Sequence, residues 1–486
     1  MNKDVSLREL ESFGDVAAED DAILDYFLST DAANRLADRE AFLVLGRKGA
    51  GKTALVRHFS ESGAFGLAKQ LNLRGYPWAV HARKVDEGAS KIEAYVASWR
   101  YLICVELASL LLSAGYARAS SEYRVLAAFL SDNYGGVSPD LGVLLRPKKL
   151  ILSKASFEPT VLGNKLGSIS LERASGDPDL GLELDALSKA ILGSITSLAD
   201  RIGIEALSLH FDELDHGLAH LDEEKKLMLV GLILAVRSLR IETKYAAVNI
   251  NPVVYLRSDL WEELEFSDKN KISQTHAIHI EWDDASLKEL INARLGARMD
   301  VGVSWDDVVD DELMRGSQPK WNHIIARTFL RPRDVIKFLN EALVQAKARP
   351  GNNILFSNKD IVGARDGYSA YLKKELDDEI LPHWAHWEEA LQACSAISTI
   401  TFERAAFEAE YNSRRSKRNE VSVDEALEHL YTFSVIGYER RSGYGGSSWA
   451  FHYSDPQAGW DRSATRFKVH LGLKEFAKLR EERVKS

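Results

Sequence analysis

Cysteine is scarce in this chain, apolar runs are short and positive charge is in deficit, and each shortage removes a class of protein. The two cysteines, Cys104 and Cys394, stand far apart in apolar, helical-looking stretches. They show neither pairing nor metal-ligand spacing, so a disulfide scaffold and a cysteine zinc site are excluded, and buried thiols in a reducing compartment are expected. The most apolar run, 227–236, falls far short of the roughly 20 residues that a membrane span needs. Met1-Asn2-Lys3-Asp4 leads into acidic, amphipathic sequence with no apolar signal core, so a cytoplasmic location without a membrane partner is expected. A formal net charge of −10 argues against a protein that coats nucleic acid by bulk electrostatics, while leaving room for a local basic patch. Internal repeats and low-complexity tracts are also missing.

What is present is the material of a multidomain globular protein. The chain has 486 residues, 45% of them hydrophobic and 28% charged, and its length suggests about three domains. Residues 15–40 read as helical, with Ile23, Tyr26, Phe27 and Leu28 on one face. A continuous apolar run at 41–45 has the pattern of a strand buried on both faces of a parallel sheet. Further strands are expected at 77–82, 206–211, 253–256 and 277–282, with helices between them. Such alternation implies a parallel sheet covered on both sides. Turn-rich sequence at 140–178 interrupts it and reads as an inserted hairpin or excursion.

Directly after the first strand comes Gly46-Arg47-Lys48-Gly49-Ala50-Gly51-Lys52-Thr53, a full match to G-x-x-x-x-G-K-[ST] between a strand and a helix. Glycines let successive backbone N–H groups turn inward around phosphates, and the following helix adds the positive end of its dipole. In that setting Lys52 reaches the β- and γ-phosphates and the Thr53 hydroxyl ligates Mg²⁺. The strand at 206–211 runs into Asp212-Glu213, which places two carboxylates at the sheet's carboxyl edge. Asp212 is expected to hold the magnesium and Glu213 to polarise the attacking water, since the second carboxylate is free to accept a proton. Asp215 either assists the metal shell or caps the next helix. ATP is the expected nucleotide: a guanine reader of the Asn-Lys-x-Asp kind is missing, because Asn270-Lys271-Ile272-Ser273 lacks the carboxylate.

On these motifs the chain resembles the large P-loop division with an added strand between the two motifs and a catalytic glutamate, which includes the AAA+ and STAND ATPases. Val253-Val254-Tyr255-Leu256-Arg257-Ser258-Asp259 looks like a STAND sensor strand, and the resemblance implies that Arg257 faces the γ-phosphate. Phe329-Leu330-Arg331-Pro332-Arg333-Asp334 is similar to the second sensor in the lids of origin-recognition-like and STAND ATPases. Pro332 suits the first turn of a helix, so Arg331 and Arg333 flank a helix start, where either reaches phosphate or decorates a solvated end. One departure stands out: between Asp259 and Ala277 there is no arginine, which puts ring-type activation by a neighbouring subunit in doubt. The chain is also similar to uncharacterised bacterial P-loop ATPases that sit near phage-defence genes, which implies a role in defence.

The expected architecture is an α/β protein: a parallel-sheet P-loop NTPase core at 1–284, a helical lid at 285–384 and a winged-helix domain at 385–486. In the last, a recognition-like helix at 423–433 precedes a strand–glycine turn–strand wing. Arg414, Arg415, Lys417 and Arg418 cluster upstream, with Arg440, Arg441 and Tyr444 at the wing, a placing that allows phosphate contacts. Two functions follow. One is an ATP-driven switch that closes the lid and repositions the winged helix, with an effector protein or a second copy as partner. The other is an ATP-dependent DNA-binding protein of the initiator or loader type.

Overall fold

Leu43, Val44 and Leu45 are wholly buried and carry no polar side chain, so they form an interior strand, β1 (Leu43–Gly46), of a five-stranded parallel sheet. In the computed structural model, the residues described are 5–74, 91–144, 149–152, 160–161, 164–166, 168–170, 178–214, 222–441, 447–455 and 458–481. They resolve into two compact units: 29–47 with 52–280, and 1–28 with 48–51 and 281–486.

The first unit holds β1, helix α1 (Lys52–Glu61), β2 (Leu67–Asn72), α2 (Lys91–Ser113), α3 (Pro178–Ile202), β3 (Ala206–Asp212), α4 (Glu223–Glu242), β4 (Asn249–Arg257) and β5 (Ala277–His279). The sheet order is β2-β3-β4-β1-β5, every pairing parallel. One strand, β4, therefore separates the loop-bearing β1 from the acid-bearing β3, which is the added strand that the resemblance implies. Parallel pairing aligns the carboxyl ends: Gly46 lies opposite Arg257, and Asn72 opposite Asp212. β2 is a strand that the sequence reading did not expect; the strand expected at 77–82 lies outside the described residues.

Helix α2 is long and apolar enough to cross a bilayer, yet 78% of its apolar window is buried inside the unit. It packs against α3 and α4, and the Trp99 indole donates to the Met228 carbonyl at 3.0 Å. Where α2 meets α4, a Cβ on Gly231 would lie 2.5 Å from the Tyr95 Cβ, so glycine is what lets the two backbones approach. The segment at 140–178 contributes two short antiparallel pairs, Lys149–Ile151 with Ser168–Ser170 and Thr160–Val161 with Asn164–Lys165.

The second unit begins with the N-terminal segment. Leu7, Leu10 and Phe13 are fully buried in its core, and Leu7 N–H donates to the Ile354 carbonyl. The single helix expected over 15–40 is not formed: a 3-10 turn at Ile23–Tyr26, in this unit, is followed by extended Phe27, and the separate helix over Asp31–Ala37, which belongs to the first unit, starts at Thr30, whose hydroxyl oxygen accepts from Ala33 N–H. A bundle follows: α5 (Asp284–Arg298), α6 (Lys320–Ile325), α7 (Pro332–Lys347) and α8 (Asn358–Ile380). Pro332 occupies the first turn of α7, as its missing N–H allows.

The C-terminal domain runs α9 (Trp387–Ile397), β6 (Thr401–Glu403), α10 (Arg404–Arg414), α11 (Val423–Thr432), β7 (Ile436–Arg441), β8 (Ser447–Ala450) and β9 (Arg466–Val469). Helix, strand, two helices and a two-stranded wing make a winged helix, with β9 inserted to give the antiparallel order β6-β9-β7-β8.

Candidate functional site

The loop after β1 needs glycine twice. Gly49 and Gly51 take φ of +79° and +105°, a region that side chains with a Cβ enter only under strain. The loop then delivers the chain into α1, anchored below by Leu55, Val56 and Phe59. Lys52 Nζ donates to the carbonyls of Gly46 at 2.9 Å and Arg47 at 3.2 Å, so the ammonium lies across the loop.

At the end of β3, Asp212 is almost completely buried. Burial pushes its carboxyl above the ordinary range, although Glu213 N–H, the Lys52 charge and the Thr53 hydroxyl all favour the anion. The Lys52 charge and the Thr53 hydroxyl thus act on one buried carboxylate, and a hydroxyl and a carboxylate at one place are a donor set that a divalent cation can share. Gln70 of β2 approaches the other side at 3.5 Å. Next to it, Glu213 adopts φ +56°, a left-handed conformation that costs a non-glycine residue roughly 1 kcal/mol or more. Its Oε2 is buried with no hydrogen-bond partner among the described residues. Asp215 lies outside them.

Arg257 stands at the carboxyl end of β4, where its guanidinium forms a bidentate pair with Asp259 (3.0 and 2.6 Å). Beneath the acids, His210 Nδ1 and the Tyr255 hydroxyl join β3 to β4 at 3.0 Å. Burial drives this histidine down to about 3, so it stays neutral. Sequence reading did not single it out; a polar residue in the middle of an apolar strand was the available signal.

Arg331 and Arg333 belong to the second unit, as do Lys48–Gly51. Arg331 is 2% exposed and bracketed: Nε meets Asp334 at 2.9 Å, while Nη1 meets Glu379 at 2.7 Å and the Lys48 carbonyl at 2.9 Å. Burial works against its charge, and the two carboxylates more than reverse that, holding it well above the usual arginine value. Arg333 donates to the Val16 carbonyl and pairs with Glu375 at 3.2 Å, its Cβ 2.9 Å from where a side chain on Gly49 would begin. Lys48 pairs with Asp378 at 2.8 Å, and the Trp282 indole donates to the Ala50 carbonyl at 2.8 Å. Both arginines therefore stand at the loop's crown, where their observed partners are carboxylates and main-chain carbonyls.

In the C-terminal domain the basic cluster is exposed, but partly engaged: Arg414 pairs with Glu410, and Arg415 donates to the Val421 carbonyl at 3.0 Å. The first turn of α11 carries Asp424 and Glu425, with Arg404 against Asp424. Arg440 pairs with Asp455 at 3.1 Å; Tyr444 lies outside the described residues.

With this geometry in view, three likenesses to known proteins can be placed. Residues 285–377 match the family model described as the FunZ-associated C-terminal helical domain. A protein of Escherichia coli (strain K12) described as "Putative transposon gamma-delta 80.3 kDa protein" is 23% identical over 415 residues. That alignment takes in 80% of this chain and 53% of the relative, so the chain spans about half the length of the curated relative it matches. Among solved structures, the ORC2 protein of Aeropyrum pernix (ADPNP–ADP complexes) aligns over 92% of this chain and 89% of its own, with 13% identity and a TM-score of 0.40. Cdc6p of Pyrobaculum aerophilum aligns over 94% and 91%, with 11% identity and a TM-score of 0.25. Scores of this size leave the chemistry of the site to its own residues: a parallel-sheet P-loop core whose lysine, threonine and acidic pair meet at one sheet edge.

Proposed function

We propose that this chain binds ATP with Mg²⁺ on Gly46–Thr53 and hydrolyses it, acting as a nucleotide-dependent switch. The observation that carries the reading is a loop turned by left-handed Gly49 and Gly51, with Lys52 donating across it and the buried Asp212 under the influence of Lys52 and Thr53. Bound Mg²⁺ supplies charge neutralisation at the β- and γ-phosphates. Thr53 and Asp212 are the residues that would hold it, and Lys52 turns from the loop carbonyls toward phosphate. Glu213, strained and with one oxygen unpartnered among the described residues, orients the attacking water and takes its proton. Arg257, placed by Asp259, is the cation at the neighbouring strand end. Arg331 and Arg333 act on the nucleotide indirectly, by fixing the Lys48–Gly51 backbone.

Calorimetric titration of ATP–Mg²⁺ tests the reading. Lys52→Ala should weaken binding by about a hundredfold, the worth of a lost charge-assisted contact; an unchanged isotherm places the nucleotide elsewhere.

A second reading, ATP-dependent DNA binding, draws on the exposed stretch from Arg414 to Arg418 and on the mobile-element description of the relative. The carboxylates Asp424 and Glu425 at the head of α11 weigh against groove entry by that helix. Neutralising Arg414, Arg415, Lys417 and Arg418 should remove a salt-dependent DNA affinity if this reading holds. The anti-phage setting, and an effector protein or second copy as partner, rest on the resemblance alone.

A further inference from the structure

Within the second unit, the helical bundle and the winged helix together line an open pocket of about 780 Å³. Six cationic side chains line it, Arg315, Arg327, Arg365, Arg466, Lys468 and Lys474, against a single carboxylate, Glu481. Like charges gathered in a partly desolvated space repel strongly, and folded proteins normally relieve this with carboxylates. Here the relief is uneven: Arg466 at the rim reaches Glu439 at 3.4 Å and Glu403 at 3.7 Å, while the deeper arginines have no such close pairing. Arg327 is 5% exposed and donates through Nη1 to the His323 carbonyl at 3.0 Å, while its Nε is buried with no hydrogen-bond partner among the described residues. The Arg365 guanidinium is received by the neutral ring of His323 (3.0 and 2.6 Å), and its carboxylate neighbour Glu475 stands off at 3.9 Å. Thr401 Oγ1, also on the lining, is buried without a partner among the described residues. Lys474 is paired with Glu481, and Lys468 lies over the Trp449 ring at 5.6 Å.

The electrostatic consequence is visible on the neighbours. Burial first, then Arg327, Arg365 and Lys474, hold His323 down to about 3, and burial followed by Arg365 lowers Arg327 to about 10. The contrast with Arg331, in the same unit, is direct: that buried arginine is hydrogen-bonded to two carboxylates, whereas Arg327 is hydrogen-bonded to a carbonyl, and Glu475 and Glu481 act on it only from a distance and do not reverse the lowering.

The volume lies in the range of small-ligand sites, about 300–1,000 Å³. The lining has no Phe, Tyr or Trp among the described residues, and the His323 ring is already taken up by Arg365, so charge and not stacking dominates it. Arginine forks and lysine points with a nearby hydroxyl are what an oxyanion with several negative groups requires. We propose that this pocket is a second anion site, separate from the Gly46–Thr53 loop, and that it takes a small oligophosphate.

The test uses full-length Lys52→Ala protein, so that the P-loop does not compete, titrated with sodium tripolyphosphate by calorimetry. Saturable one-to-one binding is expected, accompanied by a rise in melting temperature. Arg315→Ala and Lys468→Ala should each weaken it about tenfold; Arg315 is exposed, so its variant keeps the fold intact. ATP in place of tripolyphosphate separates the sources: equal affinity marks a nucleotide's phosphates, weaker affinity a free oligophosphate, and either supports the site. Absence of saturable heat, or an affinity unchanged in both variants, overturns it. So does short duplex DNA that binds and is lost in the same variants while tripolyphosphate fails.

Discussion

Two clusters of buried charge, one in each unit, are built to opposite rules. In the α/β unit Asp212 is pushed toward its neutral form by burial, and Glu213 sits beside it, strained and with a buried oxygen unpartnered among the described residues. In the second unit Arg331 is just as deeply buried, yet Asp334 and Glu379 receive its guanidinium, and Asp334 also accepts Phe329 N–H at 3.0 Å. Both clusters hang on a left-handed residue, Glu213 itself and Leu330 just before Arg331, so backbone strain alone does not tell them apart. Satisfaction does. A closed network fixes geometry, while an open one keeps valences for something that arrives.

The largest effect expected from this contrast is catalytic. Glu213→Gln should cut ATP turnover by about 10²–10⁴-fold while leaving affinity within about twofold, as single-turnover kinetics beside calorimetry would show. Equal rates would pass the base role to another carboxylate, with Asp215 next in line. The same substitution removes a charge facing Asp212, so urea unfolding should show little loss of stability, on the order of 0.5 kcal/mol or less. Arg331→Met should behave in reverse. It leaves Asp334 and Glu379 buried and unpaired, which costs about 3–5 kcal/mol of stability. If the two variants lose equal stability, the distinction between open and closed clusters fails.

How much of this could be read from the residues depended on locality. β1, β3 and β4 are buried on both faces, so their continuous apolar runs were legible, as was the glycine-lysine loop, whose whole pattern spans eight positions. β2 was missed because Leu-Ala-Lys-Gln-Leu-Asn is an edge strand, mostly half-buried, and carries no apolar run. At 15–40 the spacing of Ile23, Tyr26, Phe27 and Leu28 suggested one helix, but the cap at Thr30 restarts the chain and the earlier part packs elsewhere: Asp21 pairs with Arg294 at 2.8 Å, on α5. Arg331 was picked out by its place before Pro332. Its partner Glu379 lies 48 positions on, and no local pattern announces such a pair. The His210–Tyr255 bond is hidden likewise, since it depends on which strands become neighbours.

A smaller effect, in the pH dependence of stability, sharpens the comparison. His210 in the first unit and His323 in the second are both held down to about 3, far below the ordinary 6.5. The causes differ: His210 is lowered by burial alone, whereas His323 is lowered by burial and by three neighbouring cations. Below pH 6.5 the unfolded chain takes up protons that the folded chain refuses until about pH 3. Each histidine's contribution is therefore complete above 6.5 and drains away as pH falls, by about 2 kcal/mol between pH 7 and pH 5. His58, His276 and His429 are lowered too and add in the same direction. Asp21, whose folded value is lowered, adds its own loss only as pH falls below about 3.8. Urea unfolding at the two pH values should show a flatter profile for His210→Gln and for His323→Gln. Tripolyphosphate should then separate them: an anion beside Arg327, Arg365 and Lys474 offsets the repulsion on His323 and shrinks its share, while the share of His210, which faces no such cations, stays as it was.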